Sequence, residues 1–167
     1  HTQEITMLNR FFLLPLFCLS LLALSCPALA KEMKFAHFSM DVPAACTVQE
    51  REGKVTVRAT PEIFFTIAVF TKGEAGNLSD RDFAAKLAQQ LKGSAPVATE
   101  DGGWSFTTRA GAVAANVDVV GDADYVMMFM SDAGDKEWPE ALQAAYDSIK
   151  GNNAKVDDFL QKTLFAE

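Results

Sequence analysis

Ile63-Phe64-Phe65-Thr66-Ile67-Ala68-Val69-Phe70-Thr71 is the stretch that decides the fold. It is rich in β-branched and aromatic residues and carries almost nothing polar, which reads as a strand buried on both faces. Such a strand needs cover on both sides, so the sheet that holds it must lie between layers. Tyr125-Val126-Met127-Met128-Phe129-Met130 has the same character and gives a second central strand. At strand spacing its methionines belong to the core rather than to an adaptable surface.

Working outward, the neighbouring runs are half-buried strands. Thr47 to Arg51 and Lys54 to Thr60 flank Glu52-Gly53, and Val55 and Val57 alternate with polar residues, as in a hairpin with one wet face. Phe38 to Val42 alternates and stops at Pro43. Pro96 to Thr99 is a short strand. Trp104, Phe106 and Thr108 share one face of the next, and Val113, Ala115, Val117 and Val119 share one face of the one after it. Two helices interleave. The first opens at Ser79, a side-chain cap, with Asp80 and Asp82 at its positive end. Phe83, Leu87 and Leu91 form its apolar stripe, and Gly93 is its expected stop. The second is expected from Lys136 to Lys150, with Pro139 in its first turn and Gly151 ending it. Short turns between strand runs imply antiparallel pairing. The expected fold is α+β, an α/β/α-type sandwich with a central antiparallel sheet flanked by two main helices. One domain spans residues 31–151, followed by a helical tail over residues 152–167.

Residues 1–30 read as a leader. His1 to Thr6 precede Met7 and are tag or upstream residues. Met7 to Ala30 has the basic start (Arg10), apolar run (Phe11 to Leu24) and Ala28-Leu29-Ala30 ending of a secretory signal peptide cleaved after Ala30. The expected location is periplasmic or secreted. Cys26 gives the alternative: if lipidated it would tether the domain to a membrane, although Ala23 stands where lipoprotein signals carry Leu.

The whole chain has a net charge of −7. The leader takes away one base, Arg10, and one acid, Glu4, so the exported part keeps that charge. An acidic chain without a Lys/Arg cluster repels phosphate backbones, which excludes nucleic acid as a partner. Cys46 is the one cysteine outside the leader, so it is an unpaired thiol without an internal disulfide partner. A nucleophilic role would require a base, and His37 is the one histidine outside the leader.

Three pieces together resemble the superfamily of the PsbP extrinsic subunits of photosystem II, the DcrB-like bacterial envelope proteins and related bacterial domains of unknown function. They are the opening Phe38-Ser39-Met40-Asp41-Val42-Pro43, the helix from Ser79 to Leu91 between two strand groups, and Tyr125 to Met130 followed by Trp138 and Ala145-Tyr146-Asp147-Ser148-Ile149-Lys150. The resemblance covers about Phe35 to Lys150. Ala44-Ala45-Cys46 departs from it, since the family usually continues its opening Pro with Gly and an aromatic residue. What the resemblance implies is a fold that binds partners rather than one that catalyses.

Catalytic patterns are missing from the sequence: it contains no G-x-S-x-G, P-loop, G-x-G-x-x-G, H-E-x-x-H or C-x-x-C. Acid pairs occur in turn contexts, where Asp caps its own backbone. Asp122, Asp124, Asp132 and Asp135 are weak calcium candidates, and the two pairs stand at opposite ends of one strand, too far apart to share an ion. No cofactor is expected. The partner-facing candidates are Trp104 and the tail stripe Val156, Phe159, Leu160 and Leu164. The sequence therefore points to an exported, non-catalytic envelope protein that binds another envelope protein. The alternative is a binder of a small ligand or metal ion, and an enzyme is the least favoured reading.

Overall fold

The structure is a computed structural model that describes residues 29–134 and 136–165. Its centre is a seven-stranded, fully antiparallel sheet. In spatial order the strands are β3 (Thr47–Arg51), β4 (Lys54–Arg58), β5 (Phe64–Thr71), β9 (Tyr125–Asp132), β8 (Val113–Gly121), β7 (Trp104–Ala110) and β6 (Val97–Ala98). The two apolar runs, β5 and β9, pair with each other in the middle, from Phe65 opposite Ser131 to Thr71 opposite Tyr125. A smaller three-stranded sheet places β2 (Phe38–Val42) between β1 (Lys31–Lys34) and β10 (Lys150–Gly151). The helices are α1 (Asp80–Gln90), α2 (Glu140–Asp147) and α3 (Ala154–Leu164).

Register explains the two-sided burial. One row across the sheet runs Val55, Ile67, Phe129, Asp118, Ser105 and Val97. Its neighbour on the opposite face runs Thr56, Thr66, Met130, Val117 and Phe106. On the first face Val55, Val57, Phe65, Ile67, Val69 and Met127 pack under β2, α2 and α3. On the second face Ala68, Phe106, Val117, Val119, Val126 and Met128 pack under α1 through Ala84, Leu87 and Ala88. The covers are staggered. On the first face the layer sits over β4, β5 and β9 and leaves Thr107, Arg109 and Asn116 of β7 and β8 exposed. On the second face α1 sits toward β7 and β8 and stops short of β4.

Several local expectations are met in detail. The β3–β4 hairpin turns at Glu52 (φ 53°) and Gly53 (φ 74°), a two-residue turn with both residues left-handed. Ser79 caps α1 by accepting from the Asp82 N–H at 3.1 Å.

Three expectations need correction. First, the left-handed residue that ends α1 is Lys92 (φ 52°), not Gly93. Lys92 N–H donates to Gln89 O and Gly93 N–H to Ala88 O, closing the helix in a Schellman arrangement. A Cβ on Gly93 would sit 2.7 Å from the Phe106 ring and 2.8 Å from Thr107 O, so glycine is needed there for close approach to β7. Second, the helix expected from Lys136 begins only at Glu140, with Pro139 (ψ 145°) as its cap. Proline drives the residue before it away from helical geometry, which leaves Trp138 outside the helix. Third, Gly151 does not end a helix. It pairs with Phe38 in β10, and a Cβ there would lie 2.2 Å from Asp157 N.

Candidate functional site

The tail stripe is core. Val156 and Leu160 are completely buried and Phe159 is 4 % exposed, packed with Leu142, Ala145, Ile149 and Met40. Leu164 is half-buried, and its carbonyl accepts from the Tyr146 hydroxyl at 2.9 Å. Burial, and then the nearby Asp147 charge, push that Tyr146 hydroxyl's pKa up. Asn153 caps α3 by accepting from the Lys155 and Val156 N–H groups, and Asp157 accepts from Gly151 N–H at 2.8 Å, which ties α3 to β10. No partner can read a stripe that the sheet already covers. The expected helical tail is α3, and through Val156, Phe159 and Leu160 it shares one core cluster with residues of the preceding domain. Trp104 is half-buried against the α1 cluster, with the Arg81 guanidinium 5.7 Å from its ring.

Asp101 and Asp122 serve turns, whereas Asp132, expected in a loop, is the last residue of β9. Asp122 Oδ1 accepts from the Asp124 and Tyr125 N–H groups, each at 2.8 Å. Asp132, 9 % exposed, accepts from the Phe64 N–H at 3.2 Å, and so joins the two central strands. Asp101 is bonded to the Thr99 hydroxyl, which holds its carboxyl below the usual range. Asp135 and residues 1–28, including Cys26 and most of the expected leader, lie outside the described residues. Among the described residues no group of three or more His, Cys, Asp and Glu side chains is placed to hold a metal ion, and no helix is long and apolar enough to cross a membrane. Cys46 is a half-buried thiol on the edge of the larger core, and burial pushes its pKa up, away from the reactive thiolate.

His37 does not join Cys46 but pairs with Glu74, Nε2 donating to Oε2 at 2.9 Å. The same Glu74 oxygen accepts from the Thr71 N–H at 2.7 Å and the Thr71 hydroxyl at 3.0 Å. These contacts hold Glu74 below the ordinary carboxylate range, the Thr71 N–H contributing most. The pair fastens the β1–β2 turn to the turn that follows β5, at one end of the sheet. The His37 ring also meets the Tyr125 ring edge-on, with centroids 6.4 Å apart.

Two depressions meet at this latch and share Phe70 and Glu74. The smaller, about 80 Å³, lies among Phe35, His37, Glu50 and Gly53. The larger, about 170 Å³, lies where α1 stops short of β4. Its floor is Phe70, Leu87 and Met128, with the Phe83 ring tilted against Phe70 at a centroid distance of 5.9 Å, and its rim carries Lys54, Lys86 and Gln90. In this groove the staggered covers leave apolar side chains from α1, β5 and β9 facing a recess with charges at its mouth. The sequence shows the α1 stripe but not the groove. His37 and Glu74 are 37 residues apart, and no spacing rule connects them.

The fold is that of an α+β protein with an antiparallel sheet covered on both faces. No family model matches the chain, and no curated protein matches it. One similar solved structure is that of a protein from Bacteroides thetaiotaomicron VPI-5482, at 14 % identity and a TM-score of 0.36, covering 71 % of this chain and 46 % of that one. The chain thus spans less than half the length of that neighbour.

Proposed function

We propose that this chain is an exported, non-catalytic binding module of the cell envelope with a PsbP-like sandwich architecture, and that its binding face is the groove at the His37–Glu74 end of the sheet. The groove carries this reading. It joins an apolar floor to a polar mouth, the usual composition of a small-molecule site. It is also built from rigid elements: a helix, two central strands and a turn locked by three hydrogen bonds to one carboxylate oxygen. The sandwich reading is supported by the order strands, α1, strands, α2 and by helices on both faces of an antiparallel sheet. Export is supported by the leader pattern of residues 7–30; β1 starts at Lys31, directly after the expected cleavage site.

A panel of benzene-sized fragments screened by ligand-detected NMR tests the groove. Spin labels are placed on Gln90→Cys at its rim and, separately, on Thr107→Cys on the far face, both in a Cys46→Ala background. Hits relaxed from position 90 and not from position 107 support the reading. Hits relaxed only from position 107, or an empty screen, contradict it.

A protein partner is the second reading, favoured by one observation. On the first face, β7 and β8 expose a flat polar surface of Thr107, Arg109 and Asn116 beside the half-buried Asp118. This surface takes the place of the tail as the region a partner would meet.

A further inference from the structure

The larger depression has a chemical preference that its lining spells out, and the inference rests on the groove being the binding face. We propose that it takes a carboxylate carried on an apolar group about the size of a benzene ring, with the apolar group against Phe70, Phe83, Leu87 and Met128 and the carboxylate at Lys54 and Lys86. Size comes first. An apolar cavity of about 150 Å³ is enough for benzene, and this recess is about 170 Å³. The floor matches that group, since three elements supply two aromatic rings, a leucine and a methionine.

Charge selects the head group. In a chain of net charge −7, the mouth of this recess carries two lysines and one acid. The acid, Glu74, is engaged: its Oε2 accepts from His37, the Thr71 N–H and the Thr71 hydroxyl. Lys54 has only a long contact to the exposed Glu52, 3.7 Å away. Lys86 has no ion-pair partner among the described residues. A bound anion therefore meets two available cations against one carboxylate whose Oε2 is engaged by its own turn, and this excess of positive charge favours an anion over a cation. The carbonyl and amide of Gln90 add neutral hydrogen-bonding capacity at the rim and do not change the sign.

The test is calorimetric titration of the purified protein with two isosteric probes, 3-phenylpropanoate and its neutral amide, and with the smaller cation 2-phenylethylammonium. The carboxylate is expected to bind about five- to tenfold more tightly than the amide, with the ammonium weakest and the preference shrinking as salt is added. Lys54→Gln and Lys86→Gln each weaken the carboxylate several-fold and leave the amide unchanged, with thermal melts confirming that both variants fold. If amide and carboxylate bind equally, the anion preference is wrong while the groove stands as a binding face. If none of the three binds, the proposal fails together with the reading it rests on.

Discussion

Leu160→Ala separates a tail that belongs to the core from one that faces a partner. Leu160 is completely buried between Val156, Phe159 and the side chains of α2 and β2. Truncating a buried leucine costs about 2–5 kcal/mol, depending on how far the site collapses. Here α2 and the smaller sheet hold the rest of the cluster in place, while α3 ends a few residues later and can settle inward. The middle of the range, about 3 kcal/mol, follows. Helix propensity does not contribute to the loss, because alanine is the better helix former. Against a domain stability of about 5–15 kcal/mol this is a large fraction. With a urea dependence of about 1–3 kcal/mol per molar, the unfolding midpoint falls by about 1–3 M. The assay is urea unfolding followed by tryptophan fluorescence, with the exposed neighbour Gln161→Ala as a control that stays within about 0.5 kcal/mol of the parent. A Leu160→Ala protein as stable as the control would refute the burial of the α3 stripe in the core.

Further outcomes follow from individual contacts. At the end of α1, Lys92→Gly stabilises by about 0.5–1 kcal/mol by relieving a left-handed lysine, while Gly93→Ala destabilises by about 1–3 kcal/mol through collision with Phe106 and Thr107; denaturant midpoints moving in opposite directions check both. Glu74 is stabilised as a carboxylate, so its contribution is present above the usual carboxylate range and disappears as pH falls through its lowered pKa. Glu74→Gln therefore costs about 0.5–1 kcal/mol at pH 7 and nothing in strong acid, read from melts across pH. Asp118 has the opposite sign: burial raises its pKa, with Asp101 adding repulsion and Ser105 opposing, so its ionisation above that pKa weakens the fold. Asp118→Asn raises the melting temperature at pH 7, and the gain vanishes once the native carboxyl is protonated.

The sheet was legible because its signals are local. Two uninterrupted apolar strands and several alternating ones can pair in few ways, and Ser79 marks the start of α1 by itself. The limits of α2 were less so, because an i, i+4 apolar pattern continues through Trp138 although Pro139 forbids helix before it. The end of α1 was misplaced for a related reason. Gly93 looks like a left-handed stop, but its reason for being glycine is the Phe106 ring on a strand far away in sequence. The stripe of α3 was visible, and its direction was not: the same four residues suit a partner's groove or the chain's own sheet, and only the open space beside α2 and β2 decides between them. The groove was beyond reach, since it comes from the offset between the layers on the two faces, which no single segment encodes.

The account rests most heavily on the groove beside α1, and amide chemical-shift mapping of the labelled protein with 3-phenylpropanoate tests it most directly. The account predicts saturating shifts concentrated at Lys54, Phe70, Glu74, Phe83 and Lys86, with Thr107 and Asn116 unmoved. Shifts centred on β7 and β8, or none at any concentration, would contradict it.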